Sequence, residues 1–439
     1  MSTVGCNGLV LVGFLYMSKI NKLIAVFISI AMLNIPFFFA FIGLLGVEYE
    51  GADSSPIYIY YIAFLAVGSF IFYLYASFLK GLYLSEVVVI IVGVMVFFIH
   101  FFWYMFGEAV LRIVPDYLLF FIFFGLPGFF SAVTIIKLNL TALLIKFTEV
   151  TFLVIASGII IYTTIPSLTG SKVTNLAGAN YQMLSYFSMF TFGMLLVYAT
   201  LISPQFRLGF TQLPWYKYLS YVVVIACFLG GVVGGGRGAL ILSIIYILIV
   251  LYTMVKNEVK SITRKGVVSF IFKVVIVLIV FLQLVNVFSD ISFVLEGLKR
   301  ATQFIAADGG IDIEKGSSGR DVVYQIAVGY IMDRPLLGYG PFGAMEQTIQ
   351  AHNIFLDISL QFGLVGLTFF MFFIFYLIIH SVRNWCFISF WVLSLLFYPM
   401  IMLMFSGVYL HSSLFVFCIT FFIVFRKRDF LNFYREFKH

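Results

Sequence analysis

An all-α integral membrane bundle is the fold class this chain predicts, and three observations carry the prediction. Of its 439 residues, 63% are hydrophobic and 10% are charged, whereas soluble domains carry about 25% charged residues. Apolar stretches of roughly 18–25 residues recur along the chain, each long enough for a helix to cross about 30 Å of hydrocarbon. Lysines and arginines gather in the short connectors between these stretches, as membrane topology requires. The net charge of +7 therefore reads as orientation and gives no support to nucleic acid as a partner.

The expected spans lie near 22–46, 57–79, 83–106, 115–136, 142–165, 181–203, 216–234, 238–255, 267–288, 355–379, 385–405 and 409–425. This makes about twelve helices in a single membrane domain covering 1–439. Nine spans fall in 22–288, a long loop occupies 289–354, three spans fall in 355–425, and a basic tail follows at 426–439. If odd-numbered connectors face away from the N-terminus, the N-terminal side collects Lys19, Lys22, Lys80, Lys137, Lys146, Arg207, Lys256, Arg264, Arg383 and the tail. The opposite side holds far fewer cations although it contains the longest loop. The positive-inside bias makes the first side cytoplasmic, with both termini there and the 289–354 loop facing outward. Residues 7–17 are too short an apolar run to span and have no basic residue before them, so no secretory signal is expected. Cys6, Cys227, Cys386 and Cys418 are too scattered to suggest a disulfide framework or a metal cluster.

The long loop is expected to contain an amphipathic helix lying along the membrane surface. Ser318 and Asp321 have capping-box spacing, and Val322, Val323, Ile326, Ala327, Tyr330 and Ile331 recur at helical intervals. Asp333-Arg334-Pro335 ends the helix, because the residue before proline avoids helical angles. Arg320 then lies in the first turn, where the helix dipole is already positive. That placement becomes useful if an anion binds there, held by backbone N–H groups and the guanidinium together. The alternative is a solvated arginine paired with Asp321.

Gly338-Tyr339-Gly340-Pro341-Phe342-Gly343 spells a dinucleotide-type GxGxxG, but no strand precedes it and Pro341 interrupts it, so tight turns are the expectation. The turn before the eighth span, Gly230–Leu240, has no P-loop Lys-Ser/Thr. Its glycines, Gly236 and Gly238 among them, would let backbone approach a ligand, with Arg237 opening the next helix. The alternative is close helix packing. His352-Asn353 stands where the loop re-enters the membrane. There the helix dipole disfavours the imidazolium and leaves a neutral ring able to accept a proton. Arg237, Arg320 and His352 all map to the outer face, from three segments that helix packing could bring together. His100 and Trp103 are expected to border the same cavity. Lys146 and Glu149, three apart inside the fifth span, are expected to satisfy one another.

These segments together resemble the O-antigen polymerase and O-antigen ligase superfamily of bacterial envelope proteins. The resemblance rests on Gly236-Arg237-Gly238-Ala239-Leu240, on Ser318-Gly319-Arg320 running to Arg334-Pro335-Leu336-Leu337-Gly338-Tyr339-Gly340, and on Ala351-His352-Asn353-Ile354-Phe355-Leu356. His352-Asn353 followed after nine residues by Gly363-Leu364-Val365-Gly366 resembles a histidine-to-glycine spacing of the ligases. The resemblance covers roughly 220–370; the first two hundred residues match only as successive spans.

It implies an outward-facing, metal-independent, inverting glycosyltransferase of the bacterial inner membrane. The implied donor and acceptor are undecaprenyl-diphosphate-linked glycans, with no cofactor. Arg237 and Arg320 would hold the lipid diphosphate and His352 would be the essential histidine, with Gly236, Gly238 and Asn353 lining the substrate. Asp312-Ile313-Glu314 could mimic a metal-binding acid pair, but a solvated or sugar-contacting surface is expected. Asp308, Glu346, Gln347, Gln350 and Tyr339 are further candidate sugar contacts.

The leading expectation is an O-antigen polymerase, which moves the growing glycan from its carrier onto a new lipid-linked repeat unit, with a chain-length-regulating co-polymerase as an implied partner. The first alternative is an O-antigen ligase, which places the glycan on lipid A-core. The second is a lipid-linked oligosaccharide flippase, which would need ionisable groups at a midplane site open to both sides rather than at the outer surface.

Overall fold

A computed structural model describes residues 19–47, 56–105, 119–171, 173, 175–259, 320–340, 351–384, 387–405 and 411–425. The expected span 267–288, most of the long loop and the basic tail lie outside the described residues. Within them the fold is all-α and of membrane type. The helices are α1 Lys19–Met32, α2 Asn34–Leu44, α3 Pro56–Lys80, α4 Leu84–Met105, α5 Phe121–Lys137, α6 Thr141–Leu168, α7 Tyr181–Thr200, α8 Pro214–Gly234, α9 Arg237–Val259, α10 Arg320–Asp333, α11 Ile354–Asn384, α12 Phe387–Phe405 and α13 Ser413–Val424.

Four of these, α3, α6, α7 and Ile354–Ile379 of α11, are long and apolar enough to cross a membrane. The first expected span, 22–46, is not one straight helix: α1 and α2 meet at 94°. Pro36 causes the break, since it has no N–H to give the Met32 carbonyl and its ring crowds the preceding turn. Asn34 turns its Oδ1 to the Ile35 N–H at 2.8 Å, and the helix restarts from there. Other expected spans are present as shorter apolar helices, among them Tyr218–Gly234, Phe390–Phe405 and Ser413–Val424. Prolines also mark α5 and α6: the wide turns Phe121–Gly125 and Ile160–Thr164 come just before Pro127 and Pro166, making room for rings that a regular turn would reject.

Helix α7 is the centre of the bundle, packed by α6, α8, α9 and α12. Its small residues explain how. Gly193 accepts the flat ring of Tyr246 from α9, and Tyr246 Oη donates to Ser394 O on α12 at 2.7 Å. Trp391 Nε1 donates to Tyr198 Oη at 3.0 Å, and Tyr198 Oη donates to Ile145 O at 2.7 Å, so one polar chain crosses α12, α7 and α6. In an apolar medium such pairs fix helix register where hydrophobicity cannot.

Two buried ion pairs lie away from the N-terminal end of α7. Lys137 binds Glu86 at 2.7 Å, and Arg207 binds Glu149 at 2.6 Å, with Thr211 Oγ1 donating to the same carboxylate at 3.2 Å. Glu149 is thus held by Arg207 and not by Lys146 as expected. Arg207 reaches it from the connector after α7, with a planar guanidinium giving two N–H donors to one oxygen.

Candidate functional site

The site forms where the N-terminal end of α7, the α8–α9 turn, α10 and the start of α11 meet. Helix α8 ends with Gly235 in the left-handed region, φ 66°, and Arg237 is the first residue of α9. The turn is tied to α7 by Ser185, whose Oγ donates to Gly231 O at 2.6 Å and accepts from the Gly236 N–H at 2.9 Å. That bond corrects one expectation: the Gly236 N–H is used within the protein and is not presented to a ligand. Gly238 is likewise a packing glycine, since an added Cβ would run into the Tyr186 hydroxyl and the Phe405 ring. Close packing, the alternative reading, accounts for both, and its effect is to set Arg237 at the rim of the bundle, half-buried.

Helix α10 begins at Arg320 and ends at Asp333, as the proline rule requires. Its packed face runs through Val323, Tyr324, Ala327 and Ile331, whereas Val322 and Ile326, expected on that face, are exposed. Ala327 and Ile331 pack with Ala351 and Leu360, flanked by Tyr330 and Leu356. Tyr339 lies under the Arg334 guanidinium at 4.6 Å and edge-on to Tyr330. Gly338 and Gly340 both have positive φ, as expected of turn glycines. The other candidate sugar contacts, Asp308, Glu346, Gln347 and Gln350, lie outside the described residues, as do Asp312 and Glu314 and the side chains of His100 and Trp103.

His352 has φ 51°, a left-handed conformation rare for a residue with a side chain. Asn353, expected to line substrate, instead caps α11: its Oδ1 accepts from Phe355 N at 3.0 Å and Leu356 N at 3.4 Å. Asp357 accepts the backbone N–H groups of Ala351 and Asn353, on either side of His352. Among the described residues the buried Nδ1 of His352 has no hydrogen-bond partner. Burial, and then the charge of Arg320, hold its imidazole below the usual histidine range, so the neutral ring is favoured.

Arg320 is the hub of the cluster. Its charge acts on His352, on Arg237 and on the Tyr186 hydroxyl, and Arg237 in turn interacts with Tyr181. Of the three residues singled out from separate segments, Arg320 is therefore within electrostatic reach of both Arg237 and His352. Tyr186 and Ser185 join them from α7. Nothing in the sequence marked these two, because a hydroxyl in an apolar helix looks like packing. Two guanidiniums within electrostatic reach of each other repel, so the arrangement favours an anion beside them.

Residues 222–371 match the family model described as O-antigen ligase. That stretch is similar to the O-antigen ligase family, in line with the resemblance drawn from the sequence. Its members are glycosyltransferase-like enzymes, and the matched residues include Arg237, Arg320 and His352. No curated protein and no solved structure matches the chain.

Proposed function

We propose that this chain is an O-antigen polymerase, transferring a growing glycan from undecaprenyl diphosphate to a new lipid-linked repeat unit at the periplasmic face of the bacterial inner membrane. The observation that carries the proposal is the cluster of Arg237, Arg320 and His352 at one end of the bundle, within the stretch matched by the family.

The chemistry follows from their charges. A hydroxyl of the acceptor sugar attacks the anomeric carbon of the donor, the bond to the diphosphate oxygen breaks, and the carrier leaves as lipid diphosphate. Negative charge grows on that leaving group, and the two guanidiniums stabilise it. The acceptor's hydroxyl proton goes to His352, which is kept neutral and whose buried Nδ1 is unpartnered among the described residues. Attack opposite the leaving group inverts the anomeric centre. The two arginines can balance the diphosphate's charge without a divalent ion, so the reading is metal-independent, and both termini lie on the cytoplasmic side.

The description of the matched family favours a second reading, transfer to lipid A-core by the same residues. A deletion strain separates the two. Core carrying a single repeat unit supports polymerase; bare core with polymer accumulated on the carrier supports ligase and sinks the first reading.

A further inference from the structure

Helix α11 is broken at Gly363, where the backbone turns to φ 64°, ψ −167°. An unbroken helix would pair the Leu364 and Val365 N–H groups with the carbonyls of Leu360 and Gln361. Those same four groups are paired instead with residues 335–340. Leu360 O accepts from Tyr339 N at 2.7 Å and Gln361 O from Gly340 N at 2.8 Å, while Leu364 N donates to Pro335 O at 2.8 Å and Val365 N to Leu336 O at 3.3 Å. Leu360 and Gln361 are buried, and a buried carbonyl left unpaired is destabilising. The break is therefore stable only while this strap is seated in it.

Two glycines make the seating possible. A Cβ on Gly338 would lie 2.6 Å from Leu360 O and 2.7 Å from Gly363 N, and a Cβ on Gly363 would strike the Leu336 carbonyl. Both have positive φ, so a side chain is strained there whatever the space. Beyond the break, 364–384 is still long enough at about 1.5 Å per residue to cross ~30 Å of hydrocarbon. That frees 354–362 from spanning and ties it to the loop.

The strap is the direct continuation of α10, whose first residue is Arg320. Residues 354–362 begin just after His352. The packing of Ala327 and Ile331 on Ala351 and Leu360 joins these two arms along their length. We propose that the 335–340 strap, seated in the break at Gly363, positions His352 against Arg320, with Gly338 and Gly363 as the positioning residues. This rests on the reading of His352 and Arg320 as the reacting site.

The test uses purified full-length protein, with hydrogen exchange at the strap and break amides and elongation of a lipid-diphosphate-linked repeat unit followed against pH. Gly338→Ala and Gly363→Ala are expected to speed exchange at residues 339, 340, 364 and 365 at least ~10-fold. Turnover should fall by about 10²-fold, the loss typical of a small misplacement. Of the charged groups around His352, namely Arg320 of α10, Arg237 of α9 and Asp357 of its own helix, Arg320 is the one that holds its pKa down, so the acid limb of the profile should move to higher pH as His352 leaves Arg320. A merely structural defect would lower the amplitude and leave the profile in place. Gly329→Ala on α10, where a Cβ meets nothing, is expected to behave as wild type. If the glycine variants do not fold, Tyr339→Pro removes the N–H given to Leu360, and Tyr339→Ala, which loses the same ring but keeps the N–H, is its control. Protected amides in the variants, or free exchange with turnover and profile unchanged, overturn the proposal. His352→Ala run alongside separates the levels: its full activity sinks the reaction assignment, whereas an inactive His352→Ala beside fully active strap variants sinks the positioning alone.

Discussion

His352 is held in a left-handed backbone conformation whose cost is on the order of 1–3 kcal/mol, and Asn353 and Asp357 fix the turn around it. Its imidazole is pushed below the ordinary value of 6.5 by burial and by Arg320. A general base must be unprotonated, so activity limited by His352 should persist below pH 6.5 and fall only as the pH drops through the lowered pKa. Arg320→Gln removes one of the two causes. The acid limb of its residual activity should therefore move to higher pH, with turnover down about 10²–10³-fold; an unmoved limb would show that another group sets the profile. Arg237, Arg320 and His352 stood out in the sequence as candidates because charged or titratable residues at apolar helix ends have no packing use. Gly236, Gly238 and Asn353 were assigned to the substrate from the same motifs, yet their contacts are with Ser185, Tyr186 and the α11 backbone. A glycine that admits a ligand and one that admits a neighbouring helix look alike in one dimension.

Among the elements, the α8–α9 turn shows how packing sets a functional side chain. Gly238→Ala should push a methyl into the Tyr186 hydroxyl and Phe405, costing about 1–3 kcal/mol as an overpacked core does. Gly93→Ala, whose Cβ meets nothing, should leave stability unchanged or improve it. Thermal unfolding in detergent compares the two, and equal melting temperatures would refute the packing role. The end of helix α10 was legible from Pro335, which stops it, whereas the period put Val322 and Ile326 on the packed face and both are exposed. The breaks in the first span and in α11 were not read, because apolar runs report length and carry no direction. The break at Gly363 in particular depends on hydrogen bonds from residues some twenty-five positions earlier, which no local pattern can announce.

For the whole molecule, the buried pairs Lys137–Glu86 and Arg207–Glu149 act as internal joints, satisfying charges that the hydrocarbon would reject. Removing one partner leaves the other buried and unpaired. Glu149→Ala should therefore cost about 3–5 kcal/mol, and the Glu149→Ala/Arg207→Ala pair clearly less than the sum of the single changes. Additive losses in a denaturation series would mean that the pair is not coupled. Membrane character was legible from composition alone. The partner of Glu149 was not, because Arg207 lies beyond a whole helix from it. The central claim is that this bundle gathers two arginines and a neutral histidine to move a glycan between lipid carriers. The most direct measurement is elongation of a lipid-diphosphate-linked repeat unit by purified protein in the presence of a chelator, wild type beside His352→Ala. The account predicts polymer and released lipid diphosphate from the wild type and neither from the variant. Equal elongation by both, or none by the wild type until a divalent ion is restored, would contradict it.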